Sequence, residues 1–147
     1  MEREAAPTHP RDLVAEFLAC RVWAVVGASR SPAKWGHRVF RDLLDGGYRV
    51  YPVNPHAEEV LGHRAYATLA ELPERPDVVE CVVPPQVTEV VVRDCAALGI
   101  RRVWMQPGSE SDEAVEFCRQ RGIDVVAGRC VLVERRARAA SPGSADG

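Results

Sequence analysis

Residues 21–36 read RVWAVVGASRSPAKWG. The apolar, largely β-branched run Val22 to Val26 stops at Gly27 and gives way to Ser, Pro, Lys and a second glycine, Gly36. A short apolar run bounded this way is a buried strand, and glycine permits the sharp turn that leaves it. Beyond the turn, Val39, Phe40, Leu43 and Leu44 recur at helical spacing and close on Gly46 and Gly47, the pattern of an amphipathic helix with a glycine stop. Strand, glycine turn and helix together open a parallel α/β unit.

The same alternation continues along the chain. YRVYPVNP, DVVECVVPP, RRVWMQPG and IDVVAG read as four further strands. Between them, QVTEVVVRDCAALG and SDEAVEFCRQRG read as helices, and AYATLAELPERP as a turn and short helix that Thr68 caps. In the first of these helices Val87, Val90, Val91, Cys95 and Leu98 fall on one face. Near-continuous apolar strands belong to a parallel sheet covered on both sides. The expected fold is therefore α/β, Rossmann-like and doubly wound. Its mainly parallel five-stranded sheet, in order about 3-2-1-4-5, carries helices on both faces. Residues 1–20 form an extension with a short helix at Leu13 to Leu18, residues 21–134 form the domain, and residues 135–147 (RRARAASPGSADG) read as a disordered tail. RCVLVE, just before that tail, is a short apolar segment.

Composition narrows the function. The chain has 147 residues and a net charge of −2, so no basic field marks a nucleic-acid or membrane partner. No apolar run approaches the roughly 20 residues of a membrane span, and the charged N-terminus lacks the apolar core of a secretory signal. The expected location is cytoplasmic. Five cysteines with no CxxC spacing argue against a disulfide framework or a zinc site. Cys81, Cys95 and Cys118 fall at apolar positions and read as core residues. Glu80 interrupts an otherwise apolar strand. A carboxylate there needs an ion pair, a hydrogen bond or a polar gap, and a direct ligand role stays open beside that structural one.

In open α/β sheets the ligand sits outside the carboxyl ends of the strands. The segments that converge there are GASRSPAKWG, PVNP, VPP, QPGS and AGRC. None brings a Ser–His–Asp set, paired carboxylates or a metal cluster, so the expected site binds without catalysis. Gly27, the amides around Ala28, Ser29 and Arg30, the hydroxyls of Ser29 and Ser31, and the following helix start form a candidate phosphate cradle. Arg30 and Lys34, the chain's only lysine, add positive charge, to which His37 is a candidate addition. The loop is about five residues longer than a GxGxxG turn. NAD-binding domains carry an acidic residue about 20 positions past the glycines. Here the second strand ends in Pro52, Val53, Asn54 and Pro55. A neutral Asn54 tolerates a phosphorylated ribose, which favours coenzyme A and, after it, NADP.

These segments, taken together, resemble the small stand-alone CoA-binding proteins with a succinyl-CoA-synthetase-like Rossmann domain. The residues that carry the resemblance are the GAS loop, PVNP, VPP, WMQPG and GRCVLVE, spread over residues 21–134. The resemblance implies phosphates near Gly27, Ser29, Arg30 and Lys34, and an adenosine part flanked by Pro52, Val53 and Asn54. It implies a pantetheine arm along Val83, Pro84 and Pro85, and a thiol end closed by Gln106, Pro107 and Gly108. Some relatives carry an arginine in the third-strand turn, where this chain has the uncharged Val83. Cys130, beside Arg129 in GRC, leaves a mixed disulfide with the CoA thiol open alongside a packing role. The implied function is binding of CoA or a short acyl-CoA as an accessory module, monomeric or homodimeric. An NAD(P)-dependent oxidoreductase and a nucleotide-binding sensor are the alternatives.

Overall fold

The computed structural model describes residues 11–139. A short helix α1 (Leu13–Leu18) leads into β1 (Val22–Val26), α2 (Trp35–Asp45) and β2 (Arg49–Val53). A small hairpin of β3 (Glu59–Val60) and β4 (His63–Arg64) and a 3-10 turn (Leu69–Glu71) precede β5 (Val78–Cys81). The chain then runs through α3 (Pro85–Leu98), β6 (Arg102–Met105), α4 (Asp112–Gln120), β7 (Asp124–Ala127) and α5 (Val131–Ala139). The five long strands form one parallel sheet. One face packs under α3 and α4 through Val79, Cys81, Val92, Cys95, Val103, Met105 and Cys118. The other face packs under α1, α2 and α5 through Phe17, Trp23, Val25, Phe40, Leu43, Trp104 and Val131. Trp104 meets Phe17 edge-on at 6.1 Å and Trp23 at a tilt, also at 6.1 Å. Such aromatic pairs each add about 0.5–1.5 kcal/mol beyond the area they bury.

The doubly wound parallel sheet matches the sequence reading, but its strand order does not. The order is β2-β1-β5-β6-β7, so the third long strand lies beside β1 and not outside β2. Pro52 is the physical reason. It sits inside β2 with no N–H to continue a ladder, which confines that strand to the sheet edge. On the outer side of β2 a single bridge is made: Tyr66 N–H donates to the Pro52 carbonyl (3.0 Å), and Asn54 N–H donates to the Tyr66 carbonyl (2.8 Å). The chain therefore crosses back to the free edge of β1. The switch point falls between the carboxyl ends of β1 and β5, where a ligand crevice is expected.

Three smaller expectations also change. The segment from Arg135 to Ala139 is helical, as part of α5. Arg135 pairs with the Asp42 carboxylate on α2, and Arg138 pairs with Asp12. The remainder of the expected tail, residues 140–147, lies outside the described residues, as do residues 1–10 of the expected extension. On α3 the buried face is Thr88, Val91, Val92 and Cys95, while Val87 and Val90 are exposed. Thr68 precedes the 3-10 turn without a side-chain cap bond. No helix among the described residues is long and apolar enough to cross a membrane.

Candidate functional site

Two glycines without a GxGxxG pattern make the first loop. Gly27 has φ +98°, and a Cβ there would stand 2.1 Å from the Val82 carbonyl oxygen, at the end of β5. Gly36, in the first turn of α2, is the second point of close approach: a Cβ there would lie 1.9 Å from the Gly27 carbonyl oxygen. The loop leaves the strand, extends through Pro32, and returns so that the helix start packs on the turn's own backbone. Gly36 thus does the close-packing work that a glycine inside a shorter turn does in dinucleotide folds.

Side chains then fix the loop. Asn54 Nδ2 donates to the Ala28 carbonyl (2.7 Å), and Asn54 Oδ1 accepts from His56 N–H (2.7 Å). Both ends of the amide therefore serve the fold, tying the end of β2 to the first loop. His37 is buried, and its Nδ1 lies 2.9 Å from the Ser29 carbonyl oxygen. A carbonyl only accepts, so Nδ1 carries the hydrogen. His37 thereby clamps the loop and does not line the cleft. Ser29 Oγ accepts from Ser31 N–H at 3.0 Å and keeps its own hydrogen to donate. Lys34 N-caps helix α2 with no side-chain cap bond, so the Trp35 and Gly36 N–H groups at the helix start remain open to an anion. Asn54→Asp removes the donor and sets a carboxylate against the Ala28 carbonyl. We expect this variant to lose about 1–3 kcal/mol, read as a lower urea midpoint for unfolding.

Two clefts border the switch point. One, of about 440 Å³, is lined by Gly27, Ser29, Ala33, Lys34, Trp35, Gly36, Asn54 and Val82. The other, of about 390 Å³, is lined by Trp35, Val82, Val83, Pro84, Gln106, Pro107, Gly108, Ser109 and Cys130. Trp35 and Val82 line both, so the two clefts lie side by side along the switch point. In the second cleft Gln106 is held by α5: its Oε1 accepts from Val131 N–H (2.8 Å), and its Nε2 reaches Cys130 Sγ (3.5 Å). Ser109 Oγ accepts from Val83 N–H at 2.9 Å and holds the β5 and β6 loops together. A wider cleft of about 570 Å³ lies away from these strand ends, against α1 and α5.

The structure brings most of the expected site residues together. Gly27, Ser29, Lys34 and Asn54 line the first cleft, and Val83, Pro84, Gln106, Pro107 and Gly108 line the second. Pro52, Val53 and Ala28 instead are buried, and Val53 belongs to the core beneath α3 and α4. Arg30 is exposed on the loop, and Pro85 begins α3; neither lines either cleft. Trp35 and Val82 escaped sequence reasoning because one reads as a plain loop residue and the other as a strand residue. An aromatic directly after the loop's only lysine was the available signal.

Glu80 departs from expectation. It is fully buried between its strand neighbours Val25 and Trp104, and neither carboxyl oxygen has a hydrogen-bond partner among the described residues. Burial pushes its carboxyl well above the ordinary range, and the nearby Cys130 adds to the push. Glu80 therefore keeps its proton, which is how a carboxyl survives without a partner in a dry strand. Burial likewise pushes the Cys81 and Cys95 thiols up, and that of Cys118 to about 11, in keeping with core cysteines. Among the described residues no cluster of His, Cys, Asp and Glu fits a metal ion.

Comparison with known proteins agrees with this architecture. The family described as CoA binding domain matches residues 21–136. The chain is 33% identical over 126 residues to the alpha subunit of an ADP-forming acetate–CoA ligase II from Pyrococcus furiosus. That match covers 78% of this chain and only 28% of the subunit. It is 30% identical to the uncharacterized protein YneT of Bacillus subtilis, covering 75% of this chain and 82% of YneT. The solved structure of a conserved hypothetical protein from Pyrococcus furiosus superimposes with a TM-score of 0.75 at 42% identity, over 78% of this chain and 98% of that one. With a superimposable fold and a family match across nearly all of the described domain, the chain belongs to the CoA-binding domain family.

Proposed function

We propose that this protein binds CoA or a short acyl-CoA along one groove made by the two clefts at the switch point, as a binding module without catalysis of its own. The observation that carries this reading is the adjacency of two clefts of different character, which share Trp35 and Val82. A cationic, glycine-built cleft at Lys34 lies beside a mostly apolar one at Cys130. A nucleotide diphosphate joined to a long, weakly polar arm has that profile. The diphosphate meets Lys34, the Ser29 hydroxyl and the open N–H groups of α2. The pantetheine arm runs over Val83 and Pro84 towards Gln106 and Gly108. At the end of β2, where an NAD ribose takes a carboxylate, Asn54 uses its amide on Ala28 and His56. This disfavours NAD.

Lys34→Ala tests the phosphate end. Lys34 is exposed, so its contribution is a screened charge. We expect CoA affinity by calorimetry to fall about fivefold at low salt, with the difference fading near 1 M salt, where the Debye length is about 3 Å. An unchanged affinity at low salt places the diphosphate elsewhere.

A further inference from the structure

The apolar end of the groove finishes on a thiol. Cys130 is half-buried and lines the cleft with Gln106, Gly108 and Ser109. It stands at the start of α5, where its carbonyl accepts from Glu134 N–H at 3.0 Å. Gln106 is locked by the Val131 amide, so its Nε2 is directed at the Cys130 sulfur. Glu80, on the same sheet face as Trp104, is fully buried and unpartnered, close enough to Cys130 that a charge on one opposes a charge on the other. The other cysteines differ. Cys81, Cys95 and Cys118 are buried in the opposite core, and Cys20 lies before β1, at the other end of the sheet, with its thiol directed to the Glu16 carbonyl.

We propose that Cys130 is a capture residue, exchanging with the disulfide of CoA to hold one CoA in the groove as a mixed disulfide. This rests on the CoA reading above. The step is a thiol–disulfide exchange. The Cys130 sulfur, having lost its proton, attacks one sulfur of bound CoA disulfide. A bond forms between Cys130 Sγ and that pantetheine sulfur as the original S–S bond breaks. The second CoA leaves as a thiolate and takes up the proton that Cys130 released. The disulfide is the oxidant, so no other redox partner is needed, and a thiol reductant reverses the step.

The test is intact mass and peptide mapping of the reduced full-length protein after exposure to CoA disulfide, with glutathione disulfide at the same concentration as the comparison. We expect one adduct per chain, on Cys130, lost on treatment with reductant and absent from Cys130→Ser. We expect it to form on the order of 100-fold faster from CoA disulfide than from glutathione disulfide, because the groove positions the former. Equal rates, an adduct spread over several cysteines, or no adduct overturns the proposal. Calorimetry of the reduced wild-type protein with reduced CoA separates the two readings. Binding without an adduct rejects capture alone, whereas neither binding nor adduct rejects both.

Discussion

Gly36→Ala is expected to destabilise the protein by about 3 kcal/mol or more and to abolish CoA binding under conditions where the wild type binds. Helix propensity alone points the other way, since alanine is favoured over glycine inside a helix by about 1 kcal/mol. The local contact decides the sign. The added methyl would lie 1.9 Å from the Gly27 carbonyl oxygen and 3.3 Å from the Ala28 Cα. Both are backbone atoms of a loop pinned by Asn54 and His37, so α2 must move and the first cleft loses its wall. Gly128→Ala is the control: its φ is +77° with nothing within 4 Å of the added methyl. That variant is expected to lose only the about 1–2 kcal/mol of a left-handed backbone. Urea unfolding of the two variants beside the wild type reads the difference. A Gly36→Ala variant as stable as the wild type contradicts the close packing of helix and turn.

Glu80→Gln is the second large effect, and it depends on pH. Below the ordinary carboxyl value of 4.5, Glu80 is protonated in both the folded and the unfolded chain, and its contribution to stability is fully present. Above it, the unfolded chain releases the proton while the buried Glu80 retains it. Wild-type stability then falls by up to about 1.4 kcal/mol per pH unit until the raised folded-state value is reached. Glutamine does not titrate. The variant should be close to the wild type at acid pH and progressively more stable towards pH 8, a gain visible in both the urea midpoint and Tm. Parallel stability profiles across that range would mean that Glu80 ionises freely in the folded protein.

The elements of this fold were legible because their apolar runs are long and cleanly bounded. The N-terminal helix and the parallel strands fall where the hydrophobic pattern puts them. The order of the strands was also legible in principle, through Pro52, which marks an edge strand as soon as its missing N–H is weighed. The face of α3 was not. Val87, Val90, Val91 and Val92 are all apolar, and packing against the sheet selects Thr88, Val91 and Val92. Helix α5 was hidden because its arginines show no apolar period. Its support is tertiary: the Gln106 carboxamide on Val131 N–H and the Arg135–Asp42 pair. In the site, residues at strand ends were readable from topology alone, as Gly27, Gln106 and Gly108 show. Side-chain direction was not readable, so Val53 went to the core and Asn54 to a structural bridge, while Trp35 and Val82 came to line both clefts unannounced.

The most direct test of the central claim is calorimetry of the reduced full-length protein against CoA, dephospho-CoA, NAD and NADP under one buffer. A groove that runs from a diphosphate cradle to Cys130 predicts saturable binding of CoA. It predicts dephospho-CoA binding at comparable or weaker affinity, and at least about tenfold weaker binding, or none, for both dinucleotides, which lack the pantetheine arm. NAD or NADP binding as tightly as CoA, or no binding of CoA, would contradict it.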